Sequence, residues 1–405
     1  MKVNTEIIVI GGGMVGATCA LALAQKEFKV TLIENSQFYL QNSNHDFDNR
    51  VSAINRISQN IFSNLNVWLA MKNERVTPYQ TMRVWDKKGF GEITFEAEDL
   101  SEPDLGHIVE NRVILSSVWK QIVEHKDIEV LSEKEILAID TQSDKKTLQF
   151  SDSTSLDAKL IIAADGANSK IRDLAKLKVK TKDYKQEGLV TTIKTENGNQ
   201  ATAWQRFMTD GPLALLPIGK DIVSIVWSTT PERAAKLEEM PEREFEKLLT
   251  TFSQNCCGSL KVIGPRQRFK LKSQHAESYV SPGIVLIGDA AHVVHPLAGQ
   301  GVNLGLLDVA VLLDILVEAR DNEEEISSLR TLRRYERARK SHNLTVQTAM
   351  DFFSNTFGSK TKPYFFLRNF GLKVTNSSRP LKRIFMKIAL GSNKDLPSLG
   401  RYFLP

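Results

Sequence analysis

At 405 residues, 41% hydrophobic and 25% charged, the chain is long enough for two lobes with a sizeable core and falls outside the fibrous and disordered classes. Its three cysteines, Cys19, Cys256 and Cys257, are odd in number and lie in no metal-ligand spacing, which argues against a disulfide framework and points to a reducing compartment. The net charge of +5 hides an asymmetry, because residues 331–405 carry 15 Lys+Arg against 3 Asp+Glu, a net of +12, leaving −7 for residues 1–330.

The first apolar run, Ile7-Ile8-Val9-Ile10, is too short for a signal peptide, and no window approaches the roughly 20 apolar residues of a membrane-spanning helix. It leads into Gly11-Gly12-Gly13-Met14-Val15-Gly16 and an Ala/Leu-rich stretch to about Lys26, which also holds Cys19 as a small buried thiol. This reads as strand, G-x-G-x-x-G, helix, and Lys29 to Glu34 supplies a second parallel strand with an acidic end. In such a unit Gly11 makes the tight turn, Gly13 admits a pyrophosphate, Gly16 lets helix and sheet pack, and Glu34 holds the adenosine ribose hydroxyls. A polar loop, Gln41 to Asn49, precedes Arg50 to Asn55 and a helical pattern ending near Trp68. Residues 81–96 read as a hairpin turned at Lys88-Gly89, and Leu105 to Leu115 as a strand running into a helix that carries Arg112. At Leu160 to Ala164 a buried strand meets Asp165-Gly166-Ala167-Asn168-Ser169, an acidic turn with a helix cap.

From residue 184 the pattern changes. Leu189 to Thr195, Thr202 to Met208, Leu213 to Ile218 and Ile222 to Ser228 are strand-like runs separated by turn residues, joined by Gln267 to Ser273 in an antiparallel sheet. Trp204, Phe207, Leu215, Pro217 and Trp227 are candidates to line a substrate site, with core packing the alternative for each. Pro231 to Phe252 is a charged helical region, and Cys256-Cys257 leaves a redox pair open. The apolar run Gly283 to Ile287 then meets Gly288-Asp289-Ala290-Ala291-His292-Val293-Val294-His295-Pro296 and the glycine loop up to Gly305, which opens a helix to about Glu318. Gly288 lets the backbone turn close to a ligand, Asp289 offers a carboxylate to a polyol, and the loop presents backbone N–H groups at a helix N-terminus. Beyond Leu329 the chain turns basic. Leu381, Ile384, Phe385 and Ile388 form an apolar stripe among Lys382, Arg383 and Lys387, suited either to the protein's own core or to a membrane interface. The basic end suits an acidic partner or an anionic membrane surface, and it lacks the aromatic platforms or finger spacing of a nucleic-acid binder.

The three motifs in this order resemble those of the FAD-dependent aromatic-ring hydroxylases, over nearly the whole chain. Leu105-Gly106-His107-Ile108-Val109-Glu110-Asn111 and the His295 to Gly305 loop narrow the resemblance to the ubiquinone-biosynthesis hydroxylases. Val84-Trp85-Asp86-Lys87, the same Leu105 to Asn111 segment and Arg334-Tyr335-Glu336-Arg337 look most like the type acting at ring carbon 5 of an octaprenylphenol (UbiI type). Ala203 to Phe207 and Asp210-Gly211-Pro212 favour a close second, acting at carbon 6 of a later quinone intermediate (UbiF type). The resemblance implies an α/β fold of the para-hydroxybenzoate hydroxylase kind. Its Rossmann-like FAD-binding domain is assembled from residues 1–80, 105–180 and 276–330. A substrate domain combines a hairpin (81–104) with an antiparallel sheet (181–275), and 331–405 form a basic helical region.

For the site, the resemblance implies FAD held by Gly11, Gly13, Gly16, Glu34, Arg50, Arg112, Asp165, Gly288, Asp289, Pro296, Gly301, Val302 and Asn303, without a metal. A surface arginine is the alternative at Arg50 and Arg112. NADPH or NADH reduces the flavin, O2 adds at its C4a to give a hydroperoxide, and one oxygen atom passes to the ring. Gly299, Gln300 and Gly301 are placed to stabilise the reduced flavin's anion. His295 is a candidate for assisting phenol deprotonation, whereas His292 reads as organising the loop. The implied partners are an apolar prenylated phenol or quinone and other ubiquinone-biosynthesis proteins. The implied location is cytoplasmic, with peripheral membrane contact through 376–405; a homo-oligomer stays open. A flavin-loaded scaffold without turnover is the rival from another class. A flavin halogenase is disfavoured because the Trp-x-Trp-x-Ile-Pro signature is absent.

Overall fold

The computed structural model describes residues 5–36, 47–86, 91–140, 145–208, 210–294, 301–358 and 396–402. Its organising layer is a six-stranded sheet in the order Val280–Ser281, Ile284–Leu286, Leu160–Ala163, Ile7–Ile10, Val30–Glu34, Ile128–Ser132. The four neighbour pairs from Ile284–Leu286 to Ile128–Ser132 are parallel. Parallel strands are covered on both faces, which is why Ile7–Ile10 and Leu160–Ala163 are unbroken apolar runs at 5% exposure or less. The helices Met14–Ala24, Asn111–Glu124 and Gly301–Asp321 pack together in the same core. Cys19 lies in it, and burial pushes its thiol pKa up.

A nine-stranded sheet forms the other layer. Its path runs His292–Val293, Gln267–Ala276, Val179–Thr195, Ile222–Thr229, Leu213–Gly219, Thr202–Phe207, Thr81–Asp86, Glu92–Glu96, with Leu260–Val262 paired off the path. The hairpin Thr81–Asp86/Glu92–Glu96 joins through parallel pairing of Thr81–Asp86 with Thr202–Phe207; its turn at Lys88-Gly89 lies outside the described residues. Side chains alternate across this sheet. Trp204, Leu213, Leu215, Ile225 and Trp227 pack with Leu237, Phe245 and Leu249 of the helices Pro231–Glu239 and Glu242–Phe252. Ala203, Ala214, Leu216 and Val226 face the other way, towards Val51 and Ala53 of the first lobe.

Several elements differ from the sequence reading. The strand expected from Leu189 begins at Val179, because its first turn of residues is exposed and charged and lacks apolar alternation. The helical pattern expected between Asn55 and about Trp68 is the helix Arg56–Asn64, followed by a second helix, Trp68–Glu74, parted from it where Asn66 adopts φ 60°; a strand, Val51–Ile54, precedes them. The charged region 231–252 is two helices broken at Pro241, which precedes the second.

The basic end starts as one helix, Leu329–Gly358. Part of its charge is answered within the protein: Arg334 pairs with Glu318 and Glu324, and Arg339 with Asp308. The Leu381 to Ile388 stripe lies outside the described residues. The described part of 376–405 packs on the first lobe, where Asn60 Nδ2 donates to Gly400 O (2.9 Å) and Ser398 N to Asp314 (2.8 Å). No described helix is long and apolar enough to cross a membrane.

Candidate active site

The loop after Ile7–Ile10 is shaped by close backbone approach. Gly11 sits at φ +100°, and a Cβ on Gly16 would lie 2.0 Å from Gly11 O, so neither position admits a larger residue. By contrast, nothing lies within 4 Å of where a Cβ on Gly13 would project. Gly13 is also the N-cap of Met14–Ala24 and gives no side-chain cap, so the helix's first N–H groups face open space, as an anion site requires. At the end of the next strand, Glu34 Oε2 accepts from Gly12 N (2.6 Å) and Oε1 from Ser36 N (3.2 Å). Oε1 also accepts from Ser36 Oγ (3.1 Å), whereas Oε2 keeps a second lone pair with which Glu34 can accept from a ribose.

This loop opens on a cavity of about 470 Å³ between the two sheets. Gly13 to Val15, Asn49 to Ser52, Asn111, Ala164, Gly166, Ile287, Asp289, Gly301 and Val302 line its first-lobe side. Val190, Gln205, Pro212, Ala214, Leu216, Val226 and Ser228 line the sheet side, with Phe269 to Lys272 beside them. All three glycine-acid motifs therefore meet at one place, from positions nearly 300 residues apart in the chain.

Arg50 and Asp289 both line the cavity. Water reaches Asp289 through it, yet protein encloses the carboxyl on most sides; this desolvation raises its pKa, opposed by the charges of His292 and Arg50. Asp165 does not line the cavity. Its carboxyl accepts from Ser169 Oγ (2.5 Å) and Ile171 N (3.1 Å), fastening the turn so that Ala164 and Gly166 do. Burial raises the Asp165 pKa, and those hydrogen bonds oppose the rise. Arg112 also lies off the cavity, paired with Glu74 (2.9 Å) and Glu110 (3.2 Å). Asn303 ties its helix to the neighbouring strand, donating to Ala53 O (2.7 Å) and accepting from Asn55 N (3.2 Å). His295, Pro296, Gly299 and Gln300 lie outside the described residues.

Gly288 is held by a residue the motif reading missed. Asp308, fully buried in Gly301–Asp321, accepts from Gly288 N (3.0 Å), His292 Nε2 (2.6 Å), Arg339 Nε (2.7 Å) and Asn343 Nδ2 (3.2 Å). Burial alone would raise the Asp308 pKa; His292 and Arg339 outweigh it and hold the carboxyl below the usual range. His292 is thus a buried loop organiser. A lone Asp in an apolar helix was the available signal.

None of Trp204, Phe207, Leu215, Pro217 and Trp227 lines the cavity. Trp204, Leu215 and Trp227 face the helices on the opposite side of the sheet, and Phe207 packs with Val84 and Ile93 of the hairpin. Their neighbours Gln205, Ala214, Leu216, Val226 and Ser228 form the wall instead.

A glycine cradle at an uncapped helix N-terminus, a carboxylate near each end and an adjoining apolar wall fit FAD and an aromatic ring. A family profile described as an FAD binding domain matches residues 4–349. The chain belongs to the FAD-binding monooxygenase family.

The 3-demethoxyubiquinol 3-hydroxylase of Escherichia coli (strain K12) is 36% identical over 387 residues, covering 96% of this chain and 98% of that protein. The mitochondrial ubiquinone biosynthesis monooxygenase COQ6 of Drosophila melanogaster is 33% identical, over 95% of this chain and 90% of that one. The p-nitrophenol 4-monooxygenase PnpA of Pseudomonas putida shares the fold, with a TM-score of 0.78 and 15% identity over 98% of this chain and all of that one. The protein is an FAD-dependent monooxygenase of the ubiquinone-hydroxylase group, with NAD(P)H and O2 as co-substrates. The ranking that put the carbon-5 type first is not supported; the relatives favour the demethoxyubiquinol type and COQ6.

Proposed function

We propose that this flavoprotein monooxygenase hydroxylates the ring of a late, demethoxy ubiquinol intermediate, the second of the two types that the motifs resemble. The observation carrying this reading is the end-to-end 36% identity with the Escherichia coli 3-demethoxyubiquinol 3-hydroxylase. Bound FAD supplies activation of O2 and transfer of one oxygen atom to the ring. The chain's own residues do the rest. Gly11, Gly13 and Gly16 shape the pyrophosphate cradle and Glu34 takes the ribose. Arg50 and Asp289, which line the cavity, would flank the flavin, and Gly301 and Val302 bring a helix N-terminus to the cavity. The wall of Val190, Pro212, Ala214, Leu216 and Val226 excludes water and stacks an apolar ring. An oxygenated ring is already electron-rich, so the reaction needs no protein nucleophile.

The test is mass spectrometry of quinone intermediates in cells lacking the protein, with the purified chain assayed for bound FAD. A demethoxy intermediate should accumulate. A prenylphenol unmodified at carbon 5 would return the assignment to the earlier step, and normal quinone levels would remove the protein from the pathway.

A further inference from the structure

The apolar wall of the cavity has one amide in it. In the strand Thr202–Phe207, Trp204 and Arg206 are directed to the helix-covered face: Trp204 into its core, Arg206 to Phe252 O. Gln205 therefore faces the cavity, paired across the sheet with Ala214, which pairs in turn with Val226. Gln205 is 7% exposed; its amide bonds to no described residue and opens on the cavity. The amides on the first-lobe side are bonded within the protein: Ser52 Oγ donates to Asn111 Oδ1 (2.7 Å), Thr192 Oγ1 to Asn49 Oδ1 (2.9 Å), and Asn49 Nδ2 to Pro265 O (2.6 Å). Ser228 is two strands away, about 10 Å at ordinary strand spacing, too far to bond to Gln205. A buried amide carries two donors and an acceptor, and leaving them unpaired is unfavourable unless a ligand or water completes them.

We propose that Gln205 is a specificity-determining residue. Its amide hydrogen-bonds to a ring oxygen of the substrate and so sets which ring carbon is presented to the flavin. This rests on the hydroxylase reading above. An oxygenated aromatic ring matches the wall: its faces are apolar, suited to Ala214, Leu216 and Val226, and its oxygens lie in the ring plane, where a single amide can read one of them.

The test compares wild type with Gln205→Met, which keeps length and removes the hydrogen bonds, and Gln205→Asn, which keeps the amide on a shorter stem. The probe is a demethoxyubiquinol with a short prenyl chain. The readouts are FAD content, thermal midpoint without substrate, KM, and the fraction of oxidised NAD(P)H recovered as hydroxylated product rather than hydrogen peroxide. Gln205→Met should keep its FAD and its thermal midpoint, because the amide has no protein partner to lose and faces the cavity. Its KM should rise about 10-fold or more and its coupled fraction should fall, with Gln205→Asn intermediate. Wild-type KM and coupling in Gln205→Met would overturn the inference, as would a lowered midpoint with coupling unchanged, which marks a structural amide. If Gln205→Met loses FAD, Gln205→Asn decides alone: wild-type coupling there overturns the inference, and reduced coupling with full FAD supports it. No product from the wild type would instead sink the hydroxylase reading on which it rests.

Discussion

Asp308→Asn tests whether the Gly288 turn is held from behind by charge. The substitution preserves shape and removes the carboxylate that four groups address: Gly288 N, His292, Arg339 and Asn343. Arg339 is 3% exposed and would keep Asn343 Oδ1 (2.7 Å) and Leu304 O (3.3 Å) but lose its counter-charge. Breaking a buried pair in this way costs about 3–5 kcal/mol. Unfolding entropy near 2.1 cal/mol/K per residue gives about 0.85 kcal/mol/K for a chain of 405 residues, so the midpoint should fall by ~4–6 °C. FAD should bind more weakly as well, because the Gly288 amide loses a charged acceptor. The assay is thermal unfolding with and without FAD, repeated on Asp308→Asn/Arg339→Met, which removes the orphaned guanidinium and should recover part of the loss. The Asp308 pKa is depressed in the folded state, so its contribution is complete above the unfolded value near 4 and disappears only as pH falls below it. The difference between wild type and Asp308→Asn should therefore be constant from pH 8 to 5. An unchanged midpoint in Asp308→Asn, or losses in the double variant that simply add, would refute the reasoning.

Asp289→Asn should weaken FAD binding in a fluorescence titration without lowering the stability of the FAD-free protein at pH 7. The folded-state pKa of Asp289 is raised, so what it adds to stability is present at acid pH and is lost as pH rises through that value. His107, His275 and His342 are held neutral chiefly by burial, so their stabilisation is complete above about pH 6.5 and declines as pH falls below it. Thermal midpoints should decrease from pH 7 to 5, and His275→Gln should flatten the decline. Gly16→Ala places a Cβ 2.0 Å from Gly11 O and should yield protein without bound FAD, read from the flavin absorbance of the purified chain.

The cofactor half of the site was legible because each of its signals is local. Gly11, Gly13 and Gly16 answer to one turn and one helix start, and Gly288-Asp289 to one strand end, so spacing within a few residues specifies the backbone. Arg112 and Asp165 were harder, since a motif places a side chain near a ligand without saying which neighbour claims it. Glu74 and Glu110 claim Arg112, and the turn's own Ser169 and Ile171 claim Asp165. Arg339 was hidden for a related reason. In sequence it belongs to a basic run, whereas in space it is the counter-charge of Asp308.

By itself the sequence determined the strand, turn and helix units that carry the flavin motifs, because glycine requirements and apolar runs act over a few bonds. Only the tertiary structure decided which face of the antiparallel sheet lines the cavity. Residues 202–207 are buried on both faces, so alternation defines two sets of side chains without saying which one covers the helices and which one the cavity. That choice placed Trp204 in the core and Gln205 at the site. It is settled by pairing with Thr81–Asp86 and by the helices Pro231–Glu239 and Glu242–Phe252, contacts far away in the chain that no local pattern encodes.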